Sequence, residues 1–77
     1  MEVKKITGRR DYIDVDFGDK AVRLPGELLV GGFAVAKGQP RVWKVPEGKP
    51  VTESERAEIK RAVVEDTKGS HFVVVFD

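Results

Sequence analysis

Apolar and polar positions alternate most cleanly between residues 11 and 17. Ile13, Val15 and Phe17 fall on one side of an extended chain, and Tyr12, Asp14 and Asp16 on the other. Successive side chains of a strand point to opposite faces, so this spacing predicts a strand with one buried and one wet face. Gly18-Asp19 breaks the pattern and residues 20–24 resume it, with Val22 and Leu24 inward. Two alternating runs joined by a short glycine-containing loop predict a β-hairpin. Upstream, residues 2–7 alternate weakly, with Lys4 and Lys5 between Val3 and Ile6. Lysines discourage unwanted pairing at a sheet edge, so this stretch reads as a short edge strand.

Pro25-Gly26 interrupts the ladder, because proline lacks the donor hydrogen and glycine tolerates unusual backbone angles. A bend or bulge there sends Glu27-Leu28-Leu29-Val30 off in a new direction. Gly31-Gly32 turns the chain. Residues 33–37 predict a further strand, large on one face (Phe33, Val35) and small on the other (Ala34, Ala36). After Gly38-Gln39-Pro40, residues 41–45 read as a fifth extended segment. Two prolines and a glycine between Pro46 and Pro50 preclude helix or central strand in that loop.

The periodicity then changes. Thr52-Glu53-Ser54-Glu55 has the form of a capping box, and Val51 before it can supply half of a hydrophobic staple. A helix is predicted from about Glu53 to Lys68, with Ile59, Ala62 and Val63 as its apolar stripe and Gly69 as its cap. The run from His71 to Phe76 is rich in β-branched and aromatic residues. It reads as a strand covered on both faces or central in the sheet, with the helix packed across it.

Together these elements predict one α+β domain over residues 1–77. Its expected architecture is a bent, mostly antiparallel sheet of five or six strands with one helix packed across it, in the order β-β-β-β-β-α-β. The last strand is expected beside either the first strand or the fifth. The length supports this, since 77 residues leave no room for a second core.

Composition narrows the function. Fourteen Lys+Arg against thirteen Asp+Glu give a net charge of +1. That balance argues against a general nucleic-acid binder, which carries a clear basic excess, and against a strongly anionic membrane partner. No cysteine is present and His71 is the one histidine. Disulfides and thiolate metal sites are therefore excluded, and no metal or cofactor is expected. A chain this short buries only ~60% of its unfolded surface, so self-association or a partner is a reasonable expectation. The N-terminus shows no apolar signal segment and no run approaches a membrane span, which fits a cytoplasmic location.

Candidate chemistry is sparse. His71 has no cysteine to activate, and no nucleophile–base–orienter spacing is visible, so no catalytic residue is assigned and an enzyme is not expected. Asp14 and Asp16 share a strand face and read first as a solvated face, second as an acidic contact patch. Gly26, Gly31 and Gly32 fit turns better than a phosphate loop. Arg9, Arg10, Arg23, Lys37, Arg41 and Lys44 could gather on one face with Tyr12, Phe33 and Trp43 exposed. That arrangement would suit a small nucleic-acid-binding regulatory β-domain, the alternative reading. Trp43, the one tryptophan, is either a core plug bracing the Pro46 loop or an exposed interface anchor.

From Gly26 to Val64 the order is Gly-Glu-Leu-Leu, then Gly-Phe-Ala-Val, then Trp43-x-x-Pro46, then a capped helix. This order resembles the immunity protein 74 family of bacterial polymorphic toxin systems. The family motif at the loop is Trp-Glu-x-Pro-His. Trp43 and Pro46 match it, whereas Lys44 and Glu47 replace the acidic residue and the histidine. The resemblance implies a toxin-neutralising protein that binds a cognate toxin stoichiometrically and performs no turnover. On that basis Glu27, Trp43, Lys44, Pro46 and Glu47 are the expected partner contacts, since loops carrying an aromatic anchor beside charge are common at interfaces.

Overall fold

The computed structural model describes residues 1–76. Among them, five strands build one curled sheet: β1 (Lys5–Gly8), β2 (Tyr12–Asp16), β3 (Ala21–Leu29), β4 (Gly32–Val35) and β5 (Val73–Phe76). One helix, α1 (Glu53–Thr67), lies between β4 and β5 in the chain. The strands stand side by side in sequence order. Neighbours from β1 to β4 are antiparallel, and β5 runs parallel to β4. The α+β class, the strand count and the helix of the sequence reading all hold.

The alternation of residues 13–24 carries the core. Ile13, Val15, Val22 and Leu24 point inward and are fully buried, joined by Phe33, Val35 and Val74. Ile59 and Val63 of α1 close over them. Each such side chain contributes ~1.5–3 kcal/mol on leaving water. The helix begins as its sequence dictates. Glu55 N donates to Thr52 Oγ1 at 3.1 Å, and Thr52 N donates to the Glu55 carboxylate at 2.9 Å. It ends before Gly69, whose φ of 77° is a left-handed conformation that glycine adopts freely.

Pro25-Gly26 bends the chain as expected, and residues 21–29 run on through it as one strand, β3, which is nine residues long and changes partner there. Its first part pairs with β2 up to Tyr12↔Pro25, and its second part pairs with β4 from Gly26↔Val35. A Cβ at Gly26 would collide with the Ala34 carbonyl and crowd the Phe33 ring, so glycine is what lets the two strands close there.

Residues 41–45 do not form the expected fifth strand. Their backbone makes isolated bridges and no continuous ladder, with Ala21↔Val45 tying them to β3 and Val42↔Pro50 lying within the loop. Pro40 and Pro46, which bracket the segment, cannot donate to a ladder.

The last strand joins β4, not the first strand or the 41–45 segment. Residues 36–72, α1 among them, make the long connection that parallel neighbours require.

Nor is the last strand central or covered on both faces. It is the sheet's edge, with Val74 buried but Val73 39% and Val75 47% exposed.

Thr67 secures that edge. It is the buried polar residue of the core, 4% exposed. Its hydroxyl donates to Val63 O at 3.0 Å and accepts from Val74 N at 3.1 Å. The last turn of α1 therefore supplies an acceptor to an edge N–H that no strand satisfies.

Candidate functional site: a clamped loop and an open sheet face

The segment from Arg41 to Val51 is a surface loop closed at its neck. Val51 N donates to Arg41 O at 2.9 Å, and Trp43 N to Lys49 O at 2.8 Å. Gly48 N returns to Trp43 O at 3.0 Å. Compact loops with tied ends hold their side chains in place, and such loops are often functional. The loop docks on the start of β3, where Lys44 N donates to Ala21 O at 2.8 Å and Ala21 N to Val45 O at 3.1 Å.

Trp43 is the anchor, and it points inward. It is 1% exposed and meets Phe17 edge to face, with centroids 6.5 Å apart. Lys20 Nζ lies 5.0 Å from its ring centroid and 3.8 Å from the Glu55 carboxylate. The indole Nε1 is buried and approaches Glu55 without closing a hydrogen bond of normal geometry. The Glu55 pKa is lowered, first by the Thr52 backbone N–H and then by Trp43, the Thr52 hydroxyl and Lys20, against some desolvation. Loop, hairpin and helix cap thus meet at one tryptophan. Of the two readings of Trp43, the core plug is the one observed.

The other loop candidates face solvent. Lys44, Pro46 and Glu47 are exposed, as are Arg41, Val42 and Val45. All of these but Pro46 border a shallow cavity of about 390 Å³ that Arg23 and Gln39 also line. Glu27 is not brought to them. It lies six positions beyond Ala21 along β3, ~20 Å at strand rise, and borders a different depression with Asp11, Ala34 and Val75.

The aspartate face is not an acidic patch. Asp14 sits opposite Arg23 in the ladder. Arg23 grips both its oxygens, at 2.9 and 3.2 Å, and Lys44 Nζ reaches it at 3.0 Å. The pKa of Asp14 is lowered chiefly by the Arg23 hydrogen bond, then by Lys44, against partial desolvation. Arg23 also covers the Tyr12 ring at 3.9 Å. Sequence reasoning placed Asp14 on the wet face but missed this clamp. The cross-strand pairing of Asp14 with Arg23 follows from the hairpin register, whereas Lys44 is thirty residues away and has no local signal.

The proposed nucleic-acid platform does not form. Phe33 and Trp43 are buried, Tyr12 is covered, and Arg23 and Lys44 are paired with Asp14. Among the described residues, no group of three or more His, Cys, Asp or Glu could hold a metal ion. No helix among them is long and apolar enough to cross a membrane.

No curated protein and no solved structure matches this chain. A family model does. The model described as Immunity protein 74 matches residues 5–77, which takes in every strand and the helix, and the chain belongs to that family.

Proposed function

We propose that the protein is an immunity protein that binds a cognate bacterial toxin one to one in the cytoplasm of the producing cell and neutralises it without turnover. The observation that carries this reading is the family match across residues 5–77. The loop geometry is consistent with it. Trp43 fixes the loop from beneath, and Lys44, Pro46 and Glu47 stand out from it beside Val42 and Val45. A pre-ordered loop loses little entropy on binding, which favours tight association. Apolar side chains among opposite charges are the usual make-up of an interface with a dry centre and a polar rim. Trp43 acts through the loop it braces, and Glu27 belongs to a second contact area.

The test is co-expression with the products of neighbouring reading frames, one of which is toxic when expressed alone. The expected result is rescue of growth and a stable one-to-one complex. Lys44→Glu with Glu47→Lys, both on the surface, weakens that complex at least ~tenfold, or about 1.4 kcal/mol, with an unchanged circular dichroism spectrum. Failure to rescue against every neighbouring product overturns the reading.

A further inference from the structure

The sequence of β5 is that of a strand buried on both sides, yet only one side is covered. Val74 packs into the core, while Val73 and Val75 face solvent at 39% and 47% exposure. Across the sheet, Val75 aligns with Ala34 and Glu27, and Val73 with Gly32 and Leu29. Leu29 is 44% exposed, and Val30 at the hairpin tip is fully so. The outward residues of β4 and its extension, Ala34 and Ala36, are small. Taller side chains on β3 and β5 flank them, leaving a trough of about 590 Å³ along the strand direction. At its β3 side stand two carboxylates, Asp11 and Glu27. Neither has a cation within 4.0 Å among the described residues, and no lysine or arginine lines the trough.

We propose that this outer face of β3–β4–β5 docks an extended, basic segment of a protein partner, laid along β4. Its apolar side chains would rest on Ala34 and Val75, and a lysine or arginine would reach Asp11 and Glu27. An extended chain presents alternate side chains to the surface beneath it, which matches a trough with an apolar floor and charge on one wall. The long stem of a basic side chain covers apolar surface while its head stays polar. A second copy of this chain fits less well. It would bring the same two carboxylates and no cation from its own trough, leaving those charges desolvated without a partner. The identity of the partner as a toxin rests on the reading above; the chemistry of the trough does not.

The test uses the whole isotopically labelled protein and two blocked peptides, one alternating valine with lysine and the other valine with glutamate. The lysine peptide is expected to shift the amides of Glu27, Ala34 and Val75, and the glutamate peptide to bind at least ~tenfold more weakly. Asp11→Asn with Glu27→Gln removes that preference and leaves the rest of the spectrum in place. Equal binding of the two peptides, no binding, or shifts confined to other surfaces overturns the proposal. The two readings separate in the cell. A double variant that neutralises the toxin as well as the natural protein does sinks the trough and leaves the immunity function standing. Lysine-peptide binding in the trough, with no neighbouring toxin neutralised, supports the trough and sinks the immunity function.

Discussion

Replacing Thr67 by valine keeps the side-chain shape and removes one oxygen. That oxygen accepts the Val74 N–H at 3.1 Å inside the core. Thr67 is 4% exposed, so water cannot take its place without opening the helix from the sheet. A buried donor left without a partner costs about 1–3 kcal/mol. A domain of 77 residues has a net stability of only ~4–12 kcal/mol, at 0.05–0.15 kcal/mol per residue. The substitution therefore removes a sizeable fraction of it. Urea denaturation followed by tryptophan fluorescence should show a lower midpoint at an unchanged slope, since the surface exposed on unfolding is the same. In a thermal scan the fall is roughly 10 °C, because 1 kcal/mol moves the midpoint by ~4–8 °C at this size. Thr67→Ser keeps the acceptor and recovers most of the loss. Amide exchange at Val74 should accelerate in the valine variant and not in the serine variant. A valine variant within about 0.5 kcal/mol of the natural protein, the range of a neutral surface change, would refute the view that Thr67 holds the β5 edge.

Other outcomes follow from the same geometry. Trp43→Ala empties a site between loop, hairpin and helix cap and should cost ~3–5 kcal/mol, measured by chemical denaturation; Trp43→Phe should cost clearly less. Gly26→Ala should destabilise by ~1–3 kcal/mol, as overpacking does, because its Cβ meets the Ala34 carbonyl. Thr52→Ala should cost about 1 kcal/mol by removing the helix cap, seen as a lower thermal midpoint. Asp14→Asn should cost about 0.5–1 kcal/mol near neutral pH, discounted for the exposure of Arg23 and Lys44. Folding lowers the Asp14 pKa from its usual 3.8. The stabilisation is thus complete above that value and fades as pH falls through the lower folded pKa, so the two proteins should converge in acid.

Much of the fold is legible because it is local. The alternation of Ile13, Val15, Phe17, Val22 and Leu24 states its own strand and face, and Thr52 with Glu55 states where α1 starts. Pairings set by distant residues are not legible. Nothing near Val74 announces that Thr67 caps it and Gly31 O receives the Val73 N–H, so the partner of β5 could not be chosen from sequence. The 41–45 segment has the composition of a strand, but Trp43 turns into the core and the prolines at 40 and 46 deny it a ladder. Of the candidate contacts, Lys44, Pro46 and Glu47 are presented together, Trp43 supports them from within, and Glu27 stands apart on the trough. The trough escaped sequence reading because the run from Phe72 to Phe76 looks the same whether its second face is covered by its own chain or by a partner's.

Under the proposed function the protein works by occupying a toxin, and titration calorimetry against the toxic product of a neighbouring reading frame is the measurement that decides it. The expected result is a stoichiometry of one, a dissociation constant in the nanomolar range, about −12 kcal/mol, and loss of toxin activity at equimolar protein. Toxin activity that persists at saturating protein, or heat that never rises above dilution, would contradict it.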